Sequence, residues 1–96
     1  MSDVITAAVK SLSEKVGAGG FDGSVKFVIE GEGAIMVDGS GVRAGDEDAD
    51  VTLTASADTF EEMMSGDLNP TSAFMTGKLA LDGDMGLAMK LGSILS

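Results

Sequence analysis

Sixteen carboxylates, six cations and a scatter of hydroxyls are the groups available for chemistry in this 96-residue chain. There is no His, so neither a Ser–His–Asp triad nor an imidazole metal ligand can be built. There is no Cys, which removes thiolate nucleophiles, zinc–thiolate sites and disulfides. Carboxylate chemistry is the first possibility to test. Asp46, Asp48 and Asp50 occupy the first, third and fifth places of a calcium loop. The sixth place requires Gly and holds Val51, and the twelfth requires Glu and holds Ala57. The run therefore reads as a solvated acidic turn. Glu61 and Glu62 are adjacent, and on a helix adjacent side chains point about 100° apart, which suits a wet face better than an acid/base pair.

Phosphate cradles are also incomplete. Gly17, Gly19 and Gly20 follow a helical pattern rather than a strand, the wrong context for a dinucleotide loop. Gly77-Lys78 is followed by Leu79 and has Ser72 where a P-loop needs its first Gly. No Asp-Ser-Leu is present to carry a phosphopantetheine arm. No cofactor and no metal are expected.

The positive signal is apolar. Seven methionines are many for this length, and Met63, Met64, Met75, Met85 and Met89 fall in the C-terminal part. Methionine fills irregular gaps in a core and equally lines a deformable pocket. Composition excludes two partners. A formal net charge of −10 repels the phosphates of nucleic acids and the surface of anionic membranes. No apolar run approaches the roughly 18 residues that would span a bilayer, so no stable membrane insertion is expected. The first ten residues lack a basic region and a long apolar core, so no secretory leader is expected, and a cytoplasmic location is.

The elements that position these residues follow from periodicity. Val4, Ile5, Ala8, Val9, Leu12 and Val16 recur at helical spacing over residues 2–16, with Ser2 or Asp3 as cap and Gly17, Gly19 and Gly20 as the stop. Val25, Phe27 and Ile29 alternate as a strand. Ile35–Val37 is a second strand, closed by a hairpin at Asp38-Gly39-Ser40-Gly41. Val42–Gly45 is a short third strand. A fourth has Val51, Leu53 and Ala55 facing the core, with Thr52, Thr54 and Ser56 on a wet face. The period then becomes helical. Asp58 is the expected cap of a helix through Met64, with Glu61 in the capping-box position. Asn69-Pro70 opens another short helix that ends at Gly77. Leu79 and Leu81 form a fifth strand, and residues 84–95 a last helix. The helical stretch of about 20 residues between strands four and five is long enough for a parallel, right-handed crossover. The expected architecture is one α+β domain over residues 1–96, a five-stranded, mainly antiparallel sheet with helices on one face.

The last helix has two apolar stripes. One is Met85, Ala88, Met89 and Gly92; the other is Leu87, Leu91, Ile94 and Leu95. A helix apolar nearly all round cannot lie on a surface with one face in water. One stripe must meet the sheet and the other a ligand or a partner chain.

From Ala49 to Leu91 the chain resembles the sterol carrier protein 2 domain. The residues that carry the resemblance are Ala49-Asp50-Val51-Thr52-Leu53, Met64-Ser65-Gly66, Pro70-Thr71-Ser72-Ala73-Phe74, Gly77-Lys78-Leu79 and the run Gly83-Asp84-Met85-Gly86-Leu87-Ala88-Met89-Lys90-Leu91, in the family's order and spacing. The resemblance implies a hydrophobic tunnel between sheet and helices, and a lipid or fatty acyl small molecule as partner: a fatty acid, fatty acyl-CoA, phospholipid or sterol-like molecule, bound without catalysis. It makes Phe60, Met63, Met64, Phe74, Met75, Leu79, Leu81, Met85, Leu87, Ala88 and Leu91 candidates for the tunnel wall. Lys78 and Lys90 become candidates to meet a polar head. Many eukaryotic members are basic, whereas this chain is strongly acidic. The alternative reading is a dimerising or partner-binding module, acting through the apolar last helix. A monomer or weak homodimer is expected.

Overall fold

Alternation decides the sheet. In a computed structural model of the chain, which describes residues 3–17 and 20–95 (Leu95 by its backbone alone), β1 (Val25–Ile29) and β4 (Val51–Ala55) bury every second residue. Val25, Phe27, Ile29, Val51, Leu53 and Ala55 are each at most 3% exposed. β2 (Gly33–Asp38), β3 (Gly41–Ala44) and β5 (Leu79–Gly83) complete a five-stranded sheet in the order β3-β2-β1-β4-β5. Only β1 and β4 run parallel; the other neighbours pair antiparallel.

The helices α1 (Asp3–Val16), α2 (Ala57–Ser65), α3 (Pro70–Met75) and α4 (Met85–Leu95) gather on the apolar face. α1 lies against β2 and β3 and meets α4, while α3 and α4 lie over β4 and β5. The opposite face carries the half-buried Lys26, Thr52 and Thr54. Met36 is the exception on that face. It is 2% exposed beneath Gly45, where a Cβ would come within 3.3 Å of the Met36 Cγ. Beside it Lys26 Nζ of β1 holds Asp46 Oδ1 at 2.9 Å, so the acidic run 46–50 is partly neutralised from the sheet.

Two expectations are corrected. The connection from β4 to β5 is not a parallel crossover. Ala55 pairs with Leu79 and Val51 with Gly83, so the chain leaves and re-enters at the same end of the sheet. Length permits a crossover but does not compel one. α2 is only nine residues long, and Gly66 ends it in the left-handed conformation (φ 86°), which turns the chain back on itself. The cap of α2 is Ser56, not Asp58. Ser56 has extended backbone, and its Oγ accepts the Thr59 N–H at 3.2 Å. That puts Thr59, rather than Glu61, at the capping-box position. The other short helix starts as expected, Asn69 Oδ1 accepting the Thr71 N–H at 2.8 Å with Pro70 in the first turn. Ser2 and Gly19, expected at the two ends of the first helix, lie outside the described residues, as does the side chain of Leu95.

Phe27 and Phe60 stand edge to face in the core, ring centres 5.2 Å apart and planes at 80°. Among the described residues no buried side-chain nitrogen or oxygen lacks a hydrogen-bond partner. Apart from Thr59 the buried residues are apolar.

Candidate functional site

The orientation of α4 creates the site. Asp84 Oδ1 accepts the Leu87 N–H at 3.2 Å, and Asp84 O accepts the Ala88 N–H at 3.1 Å, which starts the helix. Leu87, Leu91 and Ile94 then turn inward onto the core, Leu91 with no exposure at all. Gly23 makes room for this. A Cβ there would stand 2.7 Å from Leu87 Cδ2, and the Gly23 φ of +125° is one that L side chains rarely adopt. With that stripe seated, Met85, Ala88, Met89 and Gly92 face the gap between α3 and the sheet.

The gap is a cavity of about 300 Å³, open on one side. Leu53, Leu79 and Leu81 form its floor on β4 and β5, and Phe27 its inner end. Pro70 and Phe74 of α3 stand opposite Met85, Ala88, Met89 and Gly92 of α4. Asn69, Thr71 and Ser93 are the polar residues on its wall, and no ionisable residue lines it. The rim is unusually apolar for a surface: Phe74 is 42%, Met85 50% and Met89 71% exposed. Large apolar side chains left in water around a concavity mark a binding site more often than chance exposure does.

The expected wall residues divide into groups. Phe74, Leu79, Leu81, Met85 and Ala88 line the cavity. Phe60, Met63 and Leu91 lie in the core, Phe60 supporting Phe27 from behind. Leu87 packs on the same core beside Gly23. Met64 borders a different hollow of about 270 Å³ against α1, which Phe60 also touches. Met75 is 78% exposed and stands outside the cavity. Sequence reasoning missed Phe27, Leu53 and Met89 as wall residues. The signal for Met89 was present, since it shares a stripe with Met85, Ala88 and Gly92.

Neither expected head-group lysine reaches the cavity wall. Lys90 Nζ meets Asp22 Oδ2 at 3.3 Å and lies 5.6 Å from the centre of the Phe21 ring. Lys78 is exposed just past α3. The groups with clearly shifted acidity sit at the other edge of the sheet. The Ser40 backbone N–H, and then the Arg43 guanidinium, hold the Asp38 carboxyl below its ordinary range. Asp38 in turn raises Arg43. Among the described residues no group of three acidic, His or Cys side chains is arranged to hold a metal, and no helix is long and apolar enough to cross a membrane.

Comparison with known proteins agrees with this architecture. The family model described as SCP-2 sterol transfer family matches residues 6–96. Hydroxysteroid dehydrogenase-like protein 2 of Xenopus tropicalis is 38% identical over 96 residues, covering 92% of this chain and 23% of that protein. The chain thus spans less than a quarter of the length of the curated relatives it matches first. Among solved structures, the sterol carrier protein domain 2 of Helicoverpa armigera superposes with a TM-score of 0.71 at 31% identity, covering 96% of this chain and 85% of that one. Sterol Carrier Protein-2 of Aedes aegypti, solved in complex with palmitate, gives 0.71 at 23% identity, covering 97% and 91%. With the five-stranded sheet, the helices on one face and the family model over nearly the whole chain, the chain belongs to the SCP-2 sterol transfer family.

Proposed function

We propose that this chain binds an apolar lipid, without catalysis, in the cavity between α3, α4 and the β4–β5 edge of the sheet. The observation that carries the reading is the wall itself. It is apolar, it lacks any ionisable group, and it opens through a rim of exposed Met85, Met89 and Phe74. A site with no acid or base beside its Thr71 and Ser93 residues can bury a molecule but has nothing to activate a hydroxyl that would transform one. The Aedes aegypti protein of the same fold holds palmitate, which supports a chain-like occupant.

Burial supplies the affinity. Each methylene taken from water contributes about 0.8 kcal/mol, so a chain of about 16 carbons offers roughly 12 kcal/mol before ordering costs are subtracted. Those costs take back several kcal/mol and leave micromolar binding. A volume of about 300 Å³ lies at the small end of ligand cavities, which run from about 300 to 1,000 Å³. A long chain would therefore project past the rim or part α3 from α4. The site is built within one chain, and the reading requires no second copy.

The test is native mass spectrometry of protein purified without detergent, followed by organic extraction and lipid analysis. A lipid mass near one per chain supports a carrier. An empty protein that also fails to bind added neutral and acyl probes overturns the reading.

A further inference from the structure

We infer that the cavity selects uncharged lipids, such as long-chain alcohols and other apolar molecules with a neutral hydroxyl head, over the carboxylate or phosphate forms of the same chains. The inference rests on the lipid-binding reading and adds to it the class of head group.

None of the six cations lines the cavity. Lys26 is held by Asp46, Arg43 by Asp38 and Glu47, and Lys90 by Asp22. Lys10 and Lys15 belong to α1, away from the cavity wall, and Lys78 is exposed outside it. The polar residues that border the wall are Asn69, Thr71 and Ser93, all neutral; Asn69 Oδ1 already accepts the Thr71 N–H, and Ser93 Oγ donates to the Met89 carbonyl oxygen. Neutral amides and hydroxyls can exchange hydrogen bonds with an alcohol. An anionic head taken into the cavity would lose its water without gaining a charged partner, which is strongly unfavourable. An anionic head left at the mouth keeps its water but meets a second obstacle. The chain carries a net charge of −10 within a radius of gyration of 11.6 Å. The segments around the cavity do not offset this locally: over residues 66–95 the charged residues are Asp67, Asp82 and Asp84 against Lys78 and Lys90, and Lys90 is already paired with Asp22. Either placement disfavours an anion, and only the second is screened by salt.

The experiment compares 1-decanol with decanoate, the same chain carrying two heads, by NMR chemical-shift titration. At about pH 7.5 decanoate is fully ionised, because carboxyl groups titrate near 4.3. In about 10 mM salt, where the Debye length is about 30 Å, decanol binds at least about tenfold more tightly. In about 1 M salt, with a Debye length of about 3 Å, the ratio narrows. Placing a cation on the wall with Thr71→Lys, an exposed position, lowers the ratio in low salt. Equal affinities in low salt, or a ratio that Thr71→Lys leaves unchanged, overturn the selectivity while lipid binding stands. If neither compound binds and other neutral lipids also fail, the lipid-binding reading falls and the selectivity with it.

Discussion

Replacing Met89 by Ala and, separately, Leu91 by Ala should separate binding from stability on a single helix. The two residues are two positions apart on α4 and face different surroundings. Leu91 is fully buried in the core, and Met89 is 71% exposed at the cavity rim. Leu91→Ala removes three buried carbons and leaves a void, which costs about 2–5 kcal/mol. A domain of this size has about 5–15 kcal/mol of stability in total, and each kcal/mol moves the melting midpoint by about 4–8 °C. The midpoint should therefore fall by at least about 8 °C. Met89→Ala removes a side chain that is already mostly in water, so stability should stay within about 0.5 kcal/mol. Its loss should appear only when a lipid covers the rim. Burying a whole Met side chain is worth about 1.5–3 kcal/mol, and the exposed share of Met89 leaves about 1–2 kcal/mol for the ligand to gain. Affinity should drop about 5- to 30-fold. The chain has no Trp or Tyr, so unfolding is best followed by far-ultraviolet circular dichroism. Binding is followed by displacement of a neutral fluorescent lipid. If Met89→Ala lowers the midpoint as much as Leu91→Ala does, or leaves lipid affinity untouched, the assignment of the two stripes is wrong.

Three further outcomes follow from particular contacts. Ser56→Ala should cost about 0.5–2 kcal/mol in chemical denaturation, because it removes the cap of α2; Asp58→Ala should cost less, because Asp58 contributes only its charge near the helix start. Gly23→Ala should destabilise by about 1–3 kcal/mol, since the new Cβ collides with Leu87 and the backbone is held at a positive φ; a midpoint equal to that of the parent would mean that Leu87 is not seated there. The Asp38 carboxyl is lowered from 3.8 in the folded chain, so its contribution is present above that value and is lost as pH falls through the lowered one. Asp38→Asn should accordingly lower the melting midpoint slightly at neutral pH, the pair being only partly buried and screened by solvent, and the difference should vanish in strong acid. A difference that grows on acidification would reverse the sign of the argument.

Much of the fold was legible because burial writes a period. Phe27 and Leu53 sit in clean alternations, so β1 and β4 were readable, and the change to helical spacing after Ala55 marked α2. Strand direction was not legible in the same way. The β4–β5 segment contains enough residues for either connection, and only the pairing of Ala55 with Leu79 decides between them. The cap of α2 was misplaced because Ser56 and Asp58 both suit the role, and the choice depends on where the strand's extended backbone stops. The wall was half legible. Phe60, Met63 and Leu91 are as apolar as Leu79 and Leu81, and sequence records hydrophobicity but not which neighbour fills the space beside it.

That limit explains why α4 is informative. Its two stripes showed that the helix must be covered on two sides, without showing which stripe faced which cover. The phase is settled some sixty residues earlier in the chain, at Gly23, whose missing side chain leaves a seat for Leu87. Once Leu87 is seated, Leu91 and Ile94 must follow it into the core, since all three lie on one helical face. Met85, Ala88, Met89 and Gly92 are then directed to the other side, where Pro70 of α3 approaches (its Cβ would be 3.8 Å from a Cβ on Gly92) and the sheet ends at the edge strand β5. No further element of the described chain covers Met85 and Met89, which remain half or more exposed. A small glycine thus sets the rotation of the helix, the rotation opens the cavity, and the cavity's unscreened methionines are the apolar surface that a lipid would complete.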